Sequence, residues 1–189
     1  MKAGIDMEKK IFLIRHCQAK GQPPKSELTE EGGRQAEDLA NFLSSFKVNK
    51  IISSPFLRAV ETIKPFAQRA NIEIETDERL AERVLSANSM PDWFEKLKLT
   101  FSDMDLKYEG GESSREAMNR ILQVVNDVIC SQAKNTVIVT HGNILSLLIN
   151  FYNTSFGFEQ WQQLSNPDVF ILRFRNKEVN LERIWEKNE

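Results

Sequence analysis

Apolar positions recur along this chain with two periods, and the two alternate. Lys10-Ile-Phe-Leu-Ile14 and Thr136-Val-Ile-Val-Thr140 are short apolar runs, the pattern of strands covered on both faces. Lys50-Ile-Ile-Ser53 is a third, and Ile72 to Glu75 a fourth, half-exposed one. Helical spacing fills the intervals. Thr29 is placed to cap a helix carrying Ala36, Leu39, Ala40 and Leu43 on one face, its first turn weakened by Gly32 and Gly33. Ser54 then Pro55 reads as N-cap and first helical residue, ahead of aligned Ala59, Ile63, Phe66, Ala67 and Ala70. Ser113 with Glu116 is a capping-box pattern before a stripe of Ala117, Ile121, Val124, Val125, Val128 and Ile129. Ile144, Leu147, Leu148 and Phe151 open a helix directly after Thr140. Asp168–Arg175 and Glu178–Trp185 read as a closing hairpin around Asn176-Lys177. The stretch from Ser86 to Gly111 is the least regular, with a short helix expected after Pro91, around Trp93–Leu99. Strand–helix alternation of this kind predicts an α/β fold.

Composition narrows the picture. The chain has 189 residues with no repeat, linker or composition break, which predicts one domain over 1–189. Its 25 Lys+Arg against 27 Asp+Glu leave a net charge of −2. That balance argues against nucleic acid or an acidic membrane as partner, while leaving room for a local anion site. No apolar run approaches the roughly 20 residues that span a bilayer. Met1–Lys10 is polar, and Ile11–Ile14 is shorter than the apolar part of a signal peptide. Cys17 and Cys130 do not make a disulfide scaffold. The expectation is a soluble, reduced, cytoplasmic protein. Two histidines argue against a multi-histidine metal site.

Both histidines fall where a buried strand ends: His16 after Ile11–Ile14 and Arg15, His141 after Val137–Thr140 and before Gly142. Ligands of parallel sheets bind beyond the C-terminal strand ends. The strand at Lys50–Ser53 also ends in polar residues, and the helix behind it carries Arg58 in its first turns, near N–H groups suited to an anion. A lone histidine at a strand end is ordinarily a hydrogen-bonded structural residue, and Arg15 and Arg58 singly would be surface ion-pair partners. The agreement favours a site, because both histidines and two arginines project toward one edge.

These residues sit in segments that resemble the histidine phosphatase, or phosphoglycerate mutase-like, superfamily. Arg15-His16-Cys17-Gln18-Ala19 is similar to its nucleophile motif, and Leu28-Thr29-Glu30-Glu31-Gly32 with Gln35-Ala36 to its first-helix signature. Ser53-Ser54-Pro55-Phe56-Leu57-Arg58-Ala59 through Glu61-Thr62 resembles the second-arginine motif, and Leu80-Ala81-Glu82 stands where the family has its acid. Gly110-Gly111-Glu112-Ser113 and Val139-Thr140-His141-Gly142 complete the set in family order.

The resemblance implies a three-layer α/β/α sandwich with a mostly parallel central sheet. It also implies a histidine acid phosphatase-type enzyme that hydrolyses a small phosphorylated metabolite, releases inorganic phosphate and needs no metal or cofactor. His16 would be the nucleophile that becomes phosphohistidine. Arg15, Arg58 and His141 would hold the phosphoryl oxygens, and Glu82 would protonate the leaving oxygen and then activate water; Glu78, four residues away, is the competing carboxylate. His16 must be neutral to attack, which an ordinary pKa near 6.5 permits, and its other nitrogen needs an acceptor such as a backbone carbonyl. His141, if protonated, would add a positive donor. Gln22 is a further candidate phosphate contact, while Thr140 and Gly142 would shape the pocket, Gly142 on its phosphate side.

Cys17 stands where the family has glycine. An inert small side chain is the favoured reading; a thiol made acidic and oxidisable by two arginines is the other. The family also contains mutases, and a phosphoglycerate-type mutase, a phosphoprotein phosphatase and a non-catalytic phosphate-binding module are the alternatives. Only Ser86–Tyr108 is available as a cover. Its Trp93, Phe94, Phe101 and Tyr108 would form a lid or pack inward, and Lys96, Lys98 and Lys107 would meet a second anion or water. The sequence leaves the oligomeric state open.

Overall fold

The computed structural model describes residues 8–176 and 178–185. Six strands form one sheet: β1 (Lys9–Arg15), β2 (Lys50–Ser53), β3 (Ile74–Thr76), β4 (Asn135–Thr140), β5 (Asp168–Arg175) and β6 (Glu178–Arg183). Their order is β3-β2-β4-β1-β5-β6. The pairs β3/β2, β2/β4 and β4/β1 are parallel, whereas β1/β5 and β5/β6 are antiparallel. The helices are α1 (Glu30–Leu43), α2 (Leu57–Ala70), α3 (Trp93–Ser102), α4 (Ser114–Cys130), α5 (Gly142–Tyr152) and α6 (Phe158–Gln162).

Side-chain alternation along the strands sets the layers. Phe12, Ile14, Ile51, Val137 and Val139 face one side and pack with Leu39, Leu43, Ile63 and Phe66 of α1 and α2. Ile11, Leu13, Ile52 and Ile138 face the other and pack with Ile121, Val125, Ile144 and Leu148 of α4 and α5. The outcome is helices over both faces of a mostly parallel sheet. None of the described helices is long and apolar enough to cross a membrane.

Local signals account for most boundaries. The Thr29 side chain accepts from Gly32 N, and Ser113 with Glu116 closes the expected capping box. Gly32 has a second task, because a Cβ there would stand 2.0 Å from the carbonyl oxygen of Gln18. The Ser54-Pro55 cap is corrected: α2 begins at Leu57 with Phe56 at its N-cap, and the Ser54 hydroxyl accepts from Phe56 N at 3.3 Å while also meeting His141. Ala70 is exposed, off the apolar face assigned to it, and Phe151 of α5 is exposed as well. β6 stops at Arg183, and Trp185 instead packs on Phe42 with ring centroids 5.3 Å apart. Of the hairpin turn, Lys177 lies outside the described residues, as does most of the polar segment Met1–Lys10. The short helix α6 was not anticipated.

Register brings the strand ends level. Arg15 pairs with Thr140, and Ser53 with Val139. The next residue of each strand is His16, His141 and Ser54. From adjacent β1 and β4 the chain departs to opposite faces, into α1 and α5, and opens a crevice between them.

Candidate active site

The crevice gathers Arg15, His16, Arg58, Glu82, His141 and Gly142. His16 is 9% exposed, and its backbone N–H donates to Thr140 O at 3.0 Å. Its Nδ1 lies 2.7 Å from Cys17 O. A carbonyl only accepts, so Nδ1 carries the hydrogen and Nε2 carries the lone pair. Arg58 Nε donates to that Nε2 at 3.2 Å. Arg58 is only 1% exposed; its Nη1 donates to Gln22 O at 2.8 Å and Pro23 O at 3.0 Å. Burial, reinforced by the Arg58 and Arg15 charges, lowers the His16 pKa to about 3 and outweighs the Cys17 carbonyl, which acts to raise it. The expectation of an ordinary value near 6.5 is corrected downward, and the ring is neutral.

His141 is fully buried at the N-cap of α5. Its ring lies 5.1 Å from that of His16, centroid to centroid, and its Nε2 is 2.7 Å from Ser54 Oγ. Its Nδ1 has no partner. Burial, then the His16, Arg58, Arg120 and Arg15 charges, push its pKa well below the usual histidine value, so it rests neutral rather than cationic. When the Ser54 hydroxyl donates to Nε2, Nδ1–H is the donor left over.

Arg15 depends on Gly142. Its Nη1 donates to Leu164 O at 2.8 Å, while its buried Nε has no partner. A Cβ on Gly142 would stand 3.0 Å from Arg15 Nε and 3.1 Å from Cζ. The guanidinium therefore rests against bare glycine backbone, a close approach no larger residue permits without displacement.

Glu82 follows a single 3₁₀ turn (Glu78–Leu80), tied to the end of β4 by Thr140 Oγ1 donating to Leu80 O at 2.7 Å. Its Oε2 accepts from Asn143 N at 3.1 Å, and its Oε1 from Ile144 N at 3.1 Å and Arg83 N at 2.8 Å. The carboxylate thus holds the N-terminus of α5, where free N–H groups and the helix dipole favour negative charge. Glu78 is exposed and its side chain stays outside this arrangement.

Other candidates are placed differently. Gln22 is exposed at the cleft rim, and what it gives Arg58 is its carbonyl. Cys17 is fully buried, its N–H donating to Thr62 Oγ1 at 2.8 Å, and burial pushes the thiol up to about 12. The acidic, oxidisable thiol is therefore rejected. Several motif residues brace the loop after His16: Gln35 accepts from Gln18 N at 2.9 Å and Glu61 from Leu28 N at 2.8 Å. The cover's lysines are committed away from the cleft. Lys96 pairs with Asp92 at 3.1 Å, Lys107 with Glu116 at 2.9 Å, and Lys98 lies over the Phe158 ring. Phe94 and Phe101 pack on Phe158 of α6, while Trp93 stays half-exposed at the cleft.

Sequence reasoning missed three residues here. Ser54 has the local signature of a cap, but its hydroxyl meets His141. Arg83 and Asn143 are 6% and 7% exposed and line the cleft, each with unpartnered polar atoms. The only local signal for Asn143 was its place two residues after His141. Among the described residues no group of three or more His, Cys, Asp or Glu is arranged to hold a metal ion.

Known proteins agree with this architecture. The family model described as histidine phosphatase superfamily, branch 1, matches residues 11–187. Phosphoserine phosphatase 1 of Hydrogenobacter thermophilus is 27% identical over 145 residues, covering 69% of each chain. A probable phosphoglycerate mutase of Proteus mirabilis is 26% identical over 157 residues, covering 74% of this chain and 73% of its own. Among solved structures, a mycobacterial glucosyl-3-phosphoglycerate phosphatase superimposes with a TM-score of 0.75 at 21% identity, covering 93% of this chain and 97% of that one. Phosphoglycerate mutase from Bacillus anthracis gives 0.75 at 15% identity, covering 95% and 93%.

Proposed function

The chain belongs to the histidine phosphatase superfamily, and from that premise we propose that it hydrolyses phosphomonoesters of small metabolites through a phosphohistidine on His16. The observation that carries the reading is the poise of His16: Nδ1–H is fixed on Cys17 O, and the Nε2 lone pair faces buried Arg58. A neutral imidazole with a fixed tautomer is a nucleophile ready to use. The phosphoryl group enters between Nε2 and Arg58, so that the Arg58 N–H bonds pass to its oxygens. Arg15 and the Nδ1–H of His141 supply the remaining donors. Guanidinium forks match phosphoryl oxygens and provide the positive charge that other phosphoryl-transfer sites take from metal.

In the first step Nε2 forms the P–N bond as the P–O bond to the alcohol breaks, and Glu82, protonated once the negative charge of the phosphoryl group stands beside it and offsets the α5 N-terminus, gives its proton to the departing oxygen. In the second step water attacks phosphorus, Glu82 takes the water proton, the P–N bond breaks, and inorganic phosphate leaves with His16 neutral again. The mutase reading recedes because the cover's lysines are engaged elsewhere, so they offer no second-anion contact.

Incubating the purified chain with an aryl phosphate and quenching in alkali should trap an acid-labile phosphoenzyme. His16→Ala should lose both label and turnover. Labelling that persists in His16→Ala overturns the assignment, and an unlabelled wild type that still hydrolyses substrate overturns the covalent route.

A further inference from the structure

We propose that Arg120 and Glu112 are positioning residues for the proton donor: together they clamp the chain on both sides of Glu82 and hold its carboxyl against the departing alcohol. This rests on the assignment of Glu82 above. The segment before Glu82 leaves the sheet early. Asp77 N donates to Ser53 O at 3.0 Å, and the single turn Glu78–Leu80 follows. Three successive carbonyls are then held by side chains from distant elements. Arg120 of α4 donates through Nη1 to Arg79 O at 2.7 Å and to Ala81 O at 2.8 Å, and Thr140 Oγ1 donates to Leu80 O between them. Nη1 carries two hydrogens, and both are used on this segment.

Glu112 aims that guanidinium. Its Oε1 accepts from Arg120 Nη2 at 2.5 Å and its Oε2 from Nε at 3.0 Å, the two-point match of a planar fork with a carboxylate. The backbone of Glu112 grips the far side of Glu82: its O accepts from Arg83 Nε at 3.1 Å, and its N donates to Val84 O at 2.9 Å. Gly111 permits that approach, because a Cβ there would stand 2.2 Å from Leu85 O. The Gly110-Gly111-Glu112 motif, which does not line the cleft, thereby gains a task in the reaction. The clamp matters most when Glu82 is protonated. A carboxylic acid accepts hydrogen bonds less strongly than a carboxylate, so the bonds from Asn143 N and Ile144 N at 3.1 Å weaken, and the backbone is left to aim the side chain.

The test uses the full chain with 4-nitrophenyl phosphate, whose leaving group needs little protonation, and phenyl phosphate, whose leaving group needs more. The readout is the nitrophenyl-to-phenyl ratio of kcat/KM. In Arg120→Gln it should rise about tenfold, a part of the roughly 10²–10⁴-fold that general acid–base help is worth. A variant that merely folds less well loses both esters alike and leaves the ratio where it was. Arg120→Lys keeps the charge and one carbonyl bond; it should raise the ratio about threefold, and it carries the test alone if Arg120→Gln does not fold. Glu112→Gln, which loosens the fork, should shift the ratio in the same direction. Added to Glu82→Gln, the Arg120 substitution should change the ratio no further, since its effect runs through that carboxyl. A ratio unmoved in the folded Arg120 variant or in Glu112→Gln, or a full further rise on top of Glu82→Gln, overturns the clamp while leaving the hydrolase standing. A ratio unmoved in Glu82→Gln itself overturns the acid assignment on which the clamp rests.

Discussion

Two regions face each other across the cleft and are held in opposite ways. Below it, His16, Ser54, Arg58 and His141 are each less than a tenth exposed, at strand ends or in the first turn of α2. Their backbones are tied by the sheet itself, as where Ser54 N donates to Val139 O at 2.9 Å. Above it, the segment through α3 rests on a few buried anchors, Arg83, Leu97 and Thr100, and leaves Val84, Trp93 and Leu99 half-exposed. The lower region is preorganised for one chemistry, so altering a group there alters the sheet end. The upper region can exchange side chains at little structural cost, and it is the place where alcohols are told apart. Glu82 and Gly142 sit on the seam between the two.

The sharpest way to break this division is Glu82→Gln. The isostere keeps an acceptor at the α5 N-terminus but cannot deliver a proton. Turnover of alkyl phosphates should fall about 10²–10⁴-fold, the usual worth of general acid–base help. Aryl phosphates, whose leaving groups need less protonation, should lose less. Equal losses on both would move the acid to another residue.

Gly142→Ala sharpens the lower half. The added methyl would meet Arg15 at 3.0–3.2 Å, so the guanidinium must shift from its resting plane. Losing one charge-assisted contact to the phosphoryl group predicts about a hundredfold lower kcat/KM with the melting temperature nearly kept. Full activity in this variant would remove Arg15 from the phosphate.

The lower region was the more legible in the sequence, for a physical reason. A buried strand is marked by where its apolar run stops, and Ile14 and Val139 each stand two residues before His16 and His141. What local pattern hid was non-local satisfaction. Ser54 before Pro55 has the signature of a helix cap, yet its hydroxyl, besides accepting from Phe56 N, meets His141 from the neighbouring strand. Cys17 lies beside two arginines, which leaves an acidic thiol open as the second reading, but burial dominates, pushes the thiol the other way and agrees with the favoured inert side chain. Arg83 acquires its partners from Thr100 of α3 and Ser114 of α4, and Asn143 shares its cleft with Trp93 and Trp161, so local pattern marks Asn143 only by its place after His141 and Arg83 not at all. Glu82 was legible through the motif rather than through chemistry, since its place depends on the Thr140–Leu80 bond.

The smallest expected effect reads the lower region as a whole. His16 in the folded chain has a pKa of about 3 against an ordinary 6.5. Between those values the unfolded chain binds a proton that the folded chain refuses, so acidification favours unfolding and the loss is absent above pH 6.5. Going from pH 7 to pH 5, His16 alone should cost about 2 kcal/mol of unfolding free energy. His141, also held low, adds in the same direction. Urea unfolding at the two pH values measures the sum, and His16→Gln should remove about one proton's share of the slope. Inorganic phosphate should flatten the dependence, because a bound anion favours the protonated imidazoles and offsets the guanidinium charges that hold them neutral. A stability unchanged from pH 7 to pH 5 would mean that these rings titrate as they do in water, and the picture of a dry, preorganised floor beneath an adaptable cover would fail at its base.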